Sequence, residues 1–178
     1  PSLVLTTPEV SRHYAYLASQ FAKSSQAAMS ERAYIRALQY QPRSVKPRGE
    51  LALLYERQGK LAQAATQLRE VLKLQPQHLA AQNSLAWILA TAPDADLRKP
   101  QEALRIAKAV CETTQFAAPE PLDTLAAAQA AAGQFTEAAA TLGRALALDS
   151  VKASPSNAAK LRSRLTLYQQ GRAFISNR

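Results

Sequence analysis

The sequence predicts an all-α fold built as an array of antiparallel helix pairs, and three observations carry that prediction. Alanine dominates the apolar residues and only five glycines occur in 178 positions, a balance that favours helix because alanine has the best helical propensity and glycine nearly the worst. A Leu-Ala pair recurs at Leu17-Ala18, Leu51-Ala52, Leu85-Ala86 and Leu125-Ala126, in steps of 34, 34 and 40. A ladder of small residues, Ser30, Ala64, Ala103 and Ala138, follows in steps of 34, 39 and 35, and Ala37, Val71, Val110 and Ala145 each lie seven residues further on. Self-similarity at such a period marks a repeat architecture.

The chain divides accordingly into an N-terminal extension (residues 1–10), four units (11–44, 45–78, 79–118 and 119–152) and a C-terminal segment (153–178). The second unit shows the plan most plainly. Leu51, Leu54 and Tyr55, then Leu61, Ala64, Ala65, Leu68 and Leu72, follow the three- and four-residue spacing of two amphipathic helices. Gln58-Gly59-Lys60 separates them, with a glycine free to take the left-handed conformation that ends a helix. Pro76 closes the second helix, as Pro42 does one period earlier. The small residues suit places where two helices cross closely.

The third unit is longer than its neighbours. Five residues are added between Leu85 and Ala103 and one more before Leu125, so the stretch ATAPDADLRKP is the turn between its two helices, extended. Pro93 stops the first helix and Pro100 suits the first turn of the next. Asp94 and Asp96 serve there as turn and helix-start acceptors. After the fourth unit, Leu161, Leu165 and Tyr168 place an apolar stripe on a helix over residues 156–170, with Lys160, Arg162 and Arg164 beside or opposite it. That helix covers the last open interface of the array. The final GRAFISNR reads as a fraying end whose Phe174 and Ile175 could dock on a partner.

The pattern resembles the tetratricopeptide repeat family over about 140 of the 178 residues. The second unit carries Leu51-Ala52, Tyr55, Gly59, Ala64, Val71 and Pro76, and the first carries Tyr14, Leu17-Ala18, Phe21, Ser30, Tyr34, Ala37 and Pro42. The fourth carries Leu125-Ala126, Gly133-Gln134-Phe135, Ala138, Ala145 and Leu148. Ser25 stands where the family prefers glycine, and Ser150 where it prefers proline. The resemblance implies a right-handed superhelical solenoid of about four repeats plus a capping helix. Its third and fourth units are similar to a bacterial variant with an extended third repeat, often the C-terminal segment of larger enzymes or envelope proteins.

Chemistry is sparse. The two histidines, His13 and His78, are 65 residues apart, and no HExxH, paired CxxC, phosphate-cradling glycine loop or GxSxG elbow occurs. Cys111 follows Val110 on a helix and reads as a core residue. Asp94 and Asp96 resemble the start of a calcium loop, but Leu97, Arg98, Lys99 and Pro100 stand where oxygen ligands and a glycine are needed. The expectation is therefore a non-enzymatic chain with no cofactor and no metal.

If the resemblance holds, the first helix of each unit lines a concave groove. The outward positions are Arg12, Tyr16, Ser19 and Lys23, then Lys46, Glu50, Leu53 and Arg57, then Asn83, Ser84, Trp87 and Thr91, and finally Glu120, Asp123 and Thr124. The expected partner-binding residues are Tyr16, Ser19, Lys23, Lys46, Glu50, Leu53, Arg57, Asn83 and Trp87, with a secondary contact loop of Asp94, Asp96, Arg98 and Lys99. Trp87, the only tryptophan, is either an exposed anchor or packed on a neighbouring helix. The pattern by which one subclass clamps chaperone tails is not met, since Ala15, Ser19 and Glu50 occupy those places.

Net charge is +9, distributed as +6 over residues 1–75, −3 over 76–150 and +6 over 151–178. The basic first half of the groove favours an acidic or C-terminal peptide lying over the first two units. The function expected is a protein-interaction scaffold in a larger bacterial assembly, with oligomerisation or docking to parent-protein domains as further partners. The second reading is a basic helical domain binding nucleic acid or another polyanion, although the aromatics sit at repeat core positions rather than between the basic residues. No run of eighteen apolar residues spans a membrane. The chain begins at Pro1 with no visible leader, so either a leader has been removed or a longer protein precedes it, and bacterial cytoplasm and periplasm both stay open.

Overall fold

The computed structural model describes residues 6–176. Those residues form ten helices and no strand: α1 (Thr7–Lys23), α2 (Ala27–Tyr40), α3 (Val45–Arg57), α4 (Leu61–Leu74), α5 (Leu79–Thr91), α6 (Pro100–Thr113), α7 (Pro119–Ala131), α8 (Phe135–Ala147), α9 (Asp149–Lys152) and α10 (Pro155–Gln169). They fall into two compact units, one running to Ala81 and one beginning at Gln82, in the first turn of α5. In the first unit α1 packs on α2, α2 on α3 and α3 on α4. In the second unit α6 packs on α7, α7 on α8 and α8 on α10.

Small side chains set the helix pairing. Ala18 and Ser30, Ala52 and Ala64, Ala86 and Ala103, and Ala126 and Ala138 are all 0% exposed. Ser30 shows how close the helices come, because its hydroxyl on α2 donates to the carbonyl of Ala18 on α1 at 2.8 Å. A longer side chain would force the backbones apart and overpack the core. Around these crossings lie Leu51, Leu68 and Val71 in the first unit and Leu89, Leu122 and Leu142 in the second. Cys111 on α6 joins that core at 0% exposure, and burial pushes its thiol up to about 11.

The turns inside the pairs repeat one geometry. Gln26, Lys60 and Gln134 each donate a backbone N–H to the carbonyl five residues back, at 2.9 Å in all three. The residue before each has positive φ: 58° at Ser25, 73° at Gly59 and 81° at Gly133. This closing pattern needs a left-handed residue, which glycine adopts freely and serine only with strain. The first helix begins earlier than its spacing suggests, at Thr7 inside the segment read as an extension. Glu9 accepts both the Thr6 N–H, at 2.7 Å, and the Thr6 hydroxyl, at 2.8 Å. These bonds hold the Glu9 carboxyl below its ordinary range.

The connection between α5 and α6 is an ordered turn. Asp94 Oδ1 accepts the Asp96 N–H at 2.9 Å, the self-bonded turn that Asp favours. Asp96 does not start the next helix as expected; Lys99 is its N-cap and Pro100 its first residue. Arg98 points back instead, donating to the carbonyls of Ala92 at 2.7 Å and Pro93 at 2.9 Å.

The last helix, α10, is held by charge as well as by Ala158, Leu161 and Tyr168. Of the three basic residues read as beside or opposite the apolar stripe, Arg164 is the one turned inward. Its side chain is 14% exposed, and it grips Asp123 of α7 through Nε to Oδ1 at 2.9 Å and Nη2 to Oδ2. Burial outweighs the attraction of Arg164 and pushes Asp123 up to about 6, with Glu120 on α7 adding in the same direction. Tyr168 of α10 faces the same carboxylate and is pushed upward by burial.

Three outcomes are expected. Replacing Ser25 with Gly relieves the left-handed strain and raises unfolding free energy by about 0.5–1 kcal/mol in a denaturant melt. Replacing Ala64 with Leu overpacks a crossing and lowers stability by roughly 1–3 kcal/mol in the same assay. Asp123 titrates with a midpoint near 6, against an ordinary value of 3.8, when its carboxyl carbon is followed by NMR. The folded chain then holds a proton that the unfolded chain releases, so the contribution of Asp123 to stability grows as pH falls through 6 and declines as it rises. A midpoint at or below 3.8 would mean that Arg164 outweighs burial.

Candidate functional site

The first unit carries a cavity of about 700 Å³, walled by α1 and the first turns of α3 and closed by the end of that helix. The structure brings six of the expected groove residues to it: Tyr16, Ser19, Lys23, Lys46, Glu50 and Arg57. Leu53, though 41% exposed, is not among its walls. Asn83 and Trp87 belong to the other compact unit.

Helical spacing explains the grouping. Arg12, Tyr16, Ser19 and Lys23 recur every three or four residues on α1, and Lys46, Glu50 and Arg57 fall on one face of α3. Arg12, which also lines the cavity, raises the cation count to four against the single carboxylate of Glu50. None of these four cations forms an ion pair among the described residues. Elsewhere in the unit cations are spent, as where Lys60 binds Glu31 at 2.8 Å. Tyr34 supplies a ring at the cavity floor, where burial and the Glu50 charge raise its hydroxyl pKa while Arg57 lowers it. Tyr16 stands at the rim, 61% exposed. Ser19 is committed locally, its hydroxyl donating to the Tyr16 carbonyl at 2.7 Å, so only its lone pairs face a ligand.

The second unit arranges its aromatic differently. Trp87 is half-buried, neither a free anchor nor packed only on a neighbouring helix. The Phe174 ring lies 5.8 Å from it, tilted by 42°, and the Arg164 guanidinium sits over both rings, 5.3 Å and 5.2 Å from their centroids. The stretch expected to fray is therefore ordered up to Ser176, whose N–H donates to the Thr91 carbonyl at 2.8 Å; Asn177 and Arg178 lie outside the described residues. Thr91 and Thr124, read as groove positions, are buried, and the Thr91 hydroxyl donates to the Trp87 carbonyl at 2.9 Å. Asp123, also read as a groove position, is taken by Arg164. One sequence signal pointed to this site: Gly171 after a helix, with Phe174-Ile175 beyond it, in a chain with a single tryptophan.

In the loop read as a secondary contact, Asp94, Asp96 and Lys99 are exposed. Arg98 is held by the two carbonyls at the end of α5. Among the described residues no group of three or more His, Cys, Asp or Glu side chains is placed to hold a metal, and no helix is long and apolar enough to cross a membrane.

No family model and no curated protein matches the sequence. Solved structures do match. Residues 41-end of MamA from Desulfovibrio magneticus RS-1 superpose with a TM-score of 0.71 at 16% identity, covering 93% of this chain and 98% of that one. PilW, described as a widely conserved type IV pilus biogenesis factor, gives 0.70 at 23% identity over 91% of this chain and 71% of that one. A thermophilic TPR protein of Thermus thermophilus, TTC0263, gives 0.65 at 18% identity over 90% and 86%. The chain has the all-α fold of the tetratricopeptide-repeat proteins.

Proposed function

We propose that this chain is a non-catalytic protein-interaction module whose first unit holds an acidic, extended peptide segment in the cavity between α1 and α3. One observation carries the reading: four cations, Arg12, Lys23, Lys46 and Arg57, line that cavity with no ion pair among the described residues, and Glu50 is the one acid in its lining. Unpaired like charges around a concavity raise the local concentration of an anionic ligand. Tyr16, exposed at the rim, gives such a ligand ring surface to cover, and α1 gives it a wall. The fold supports the class, because curved helical arrays present long concave surfaces to peptides and partner helices. The likeness to a pilus biogenesis factor favours a place within a bacterial assembly.

The residue set of the site fits binding rather than reaction. No histidine or cysteine lines the cavity, and Cys111, the only thiol, is buried with its pKa raised. A nucleic acid remains the competing anion, and salt separates the two. A polyanion releases condensed counterions, so its affinity falls linearly and steeply on a log–log plot against salt.

Replacing Lys46 with Glu is expected to weaken an acidic peptide roughly tenfold, about 1.4 kcal/mol, by isothermal titration or fluorescence anisotropy. Replacing Leu53 with Ala, outside the cavity walls, leaves affinity unchanged. A Lys46→Glu chain that binds as tightly as the parent overturns the assignment of the site. A single-stranded nucleic acid that outcompetes the peptide at low salt and loses that advantage steeply as salt rises overturns the assignment of the partner.

A further inference from the structure

We propose that the surface around Trp87 is a second docking site, for an extended peptide bearing an aromatic side chain, and that the chain's own segment Arg172–Ser176 fills it until such a partner takes its place. This site lies wholly in the second unit and does not rest on the reading of the first.

The segment is placed by the backbone before it. Gly171 has φ of 68°, and the Arg172 N–H donates to the Leu167 carbonyl at 3.0 Å, so α10 ends in the same closing turn as the pairs and sends the chain back. Residues 172–176 are then non-helical, and residues 173–176 are half-buried. Phe174 lies against the Trp87 ring, with the Arg164 guanidinium over both. Two residues later the Ser176 N–H meets the carbonyl of Thr91, the last residue of α5. That carbonyl is one of the acceptors a helix end leaves unpaired, so it is open to any extended backbone that reaches it. An aromatic ring in a pocket plus a main-chain bond from the same strand of peptide is how short extended segments are recognised.

The platform does not need the segment to stand. Arg164 is fixed from below by Asp123 through two parallel bonds, and Trp87 by its own helix, α5. Among the described residues the occupant is held by its ring contacts, one backbone bond and the partial burial of residues 173–176. Being tethered a few residues from the site, it enjoys an effective concentration of order millimolar. A longer partner making the same contacts and others besides displaces it. The charge of Arg164 is already neutralised by Asp123, so the site selects a ring and not a carboxylate. That sets its partner apart from the acidic ligand of the first unit.

The test uses the full chain with Phe174→Ala and a synthetic hexapeptide copying residues 171–176, GRAFIS. Acrylamide quenching of the single tryptophan should rise in the variant. The peptide should bind the variant at least about tenfold more tightly than the parent, since no tethered ring competes. Its analogue with Ala in place of Phe should not bind. Ser176→Pro, which removes the backbone N–H and keeps the ring, should act in the same direction and serves if Phe174→Ala does not fold. Equal affinity for parent and variant overturns the proposal. So does absence of binding to a variant with parental circular dichroism, or binding that survives Trp87→Ala. A parent chain that sediments as a dimer and becomes monomeric on Phe174→Ala would place a second copy's segment in the site, and overturns filling by the chain's own.

Discussion

Close approach between paired helices is the constraint on which everything else in this molecule depends. Four sets of small residues, from Ala18 and Ser30 to Ala126 and Ala138, are wholly buried on the helices of the array. At the first of these the approach is short enough for a hydroxyl on one helix to bond a carbonyl on the other. The outward positions of α1 and α3 wall the cavity of the first unit.

The two candidate sites differ in what they present, charge in one and rings in the other. In the first unit four cations gather around one concavity with no ion pair among the described residues, and holding like charges together is unfavourable unless a counter-charge relieves it. In the second unit a charge that could have faced solvent is buried instead and spent on Asp123. The two units thus use their cations differently, gathered around a cavity in one and buried against a carboxylate in the other.

The array itself was legible in the sequence because packing imposes a period, and a period survives in one dimension. Leu51-Ala52 and Leu85-Ala86 mark the same structural place, and counting finds them. The grouping of Tyr16, Ser19, Lys23, Lys46, Glu50 and Arg57 was legible for the same reason, since helical spacing fixes which face a residue takes. What lay beyond reach was contact between segments that share no period. Arg164 falls three residues after Leu161 and four before Tyr168, on the apolar stripe, but nothing in the spacing of α10 names Asp123 as its partner. The start of α1 escaped for a local reason: it depends on Glu9 reaching back to Thr6, a bond outside the repeat. Ser25 illustrates the converse. The repeat demanded a left-handed residue there, and the backbone obeys the repeat at the expense of the side chain.

The buried thiol on α6 has a practical consequence. Cys111 is wholly enclosed and held as the neutral thiol, so in the folded chain it offers neither access nor a thiolate to an alkylating reagent. Any modification it suffers must follow an opening of the packing around α6. The chain's single cysteine is in that sense a clock: the rate at which it is labelled under native conditions counts how often the middle of the array breathes.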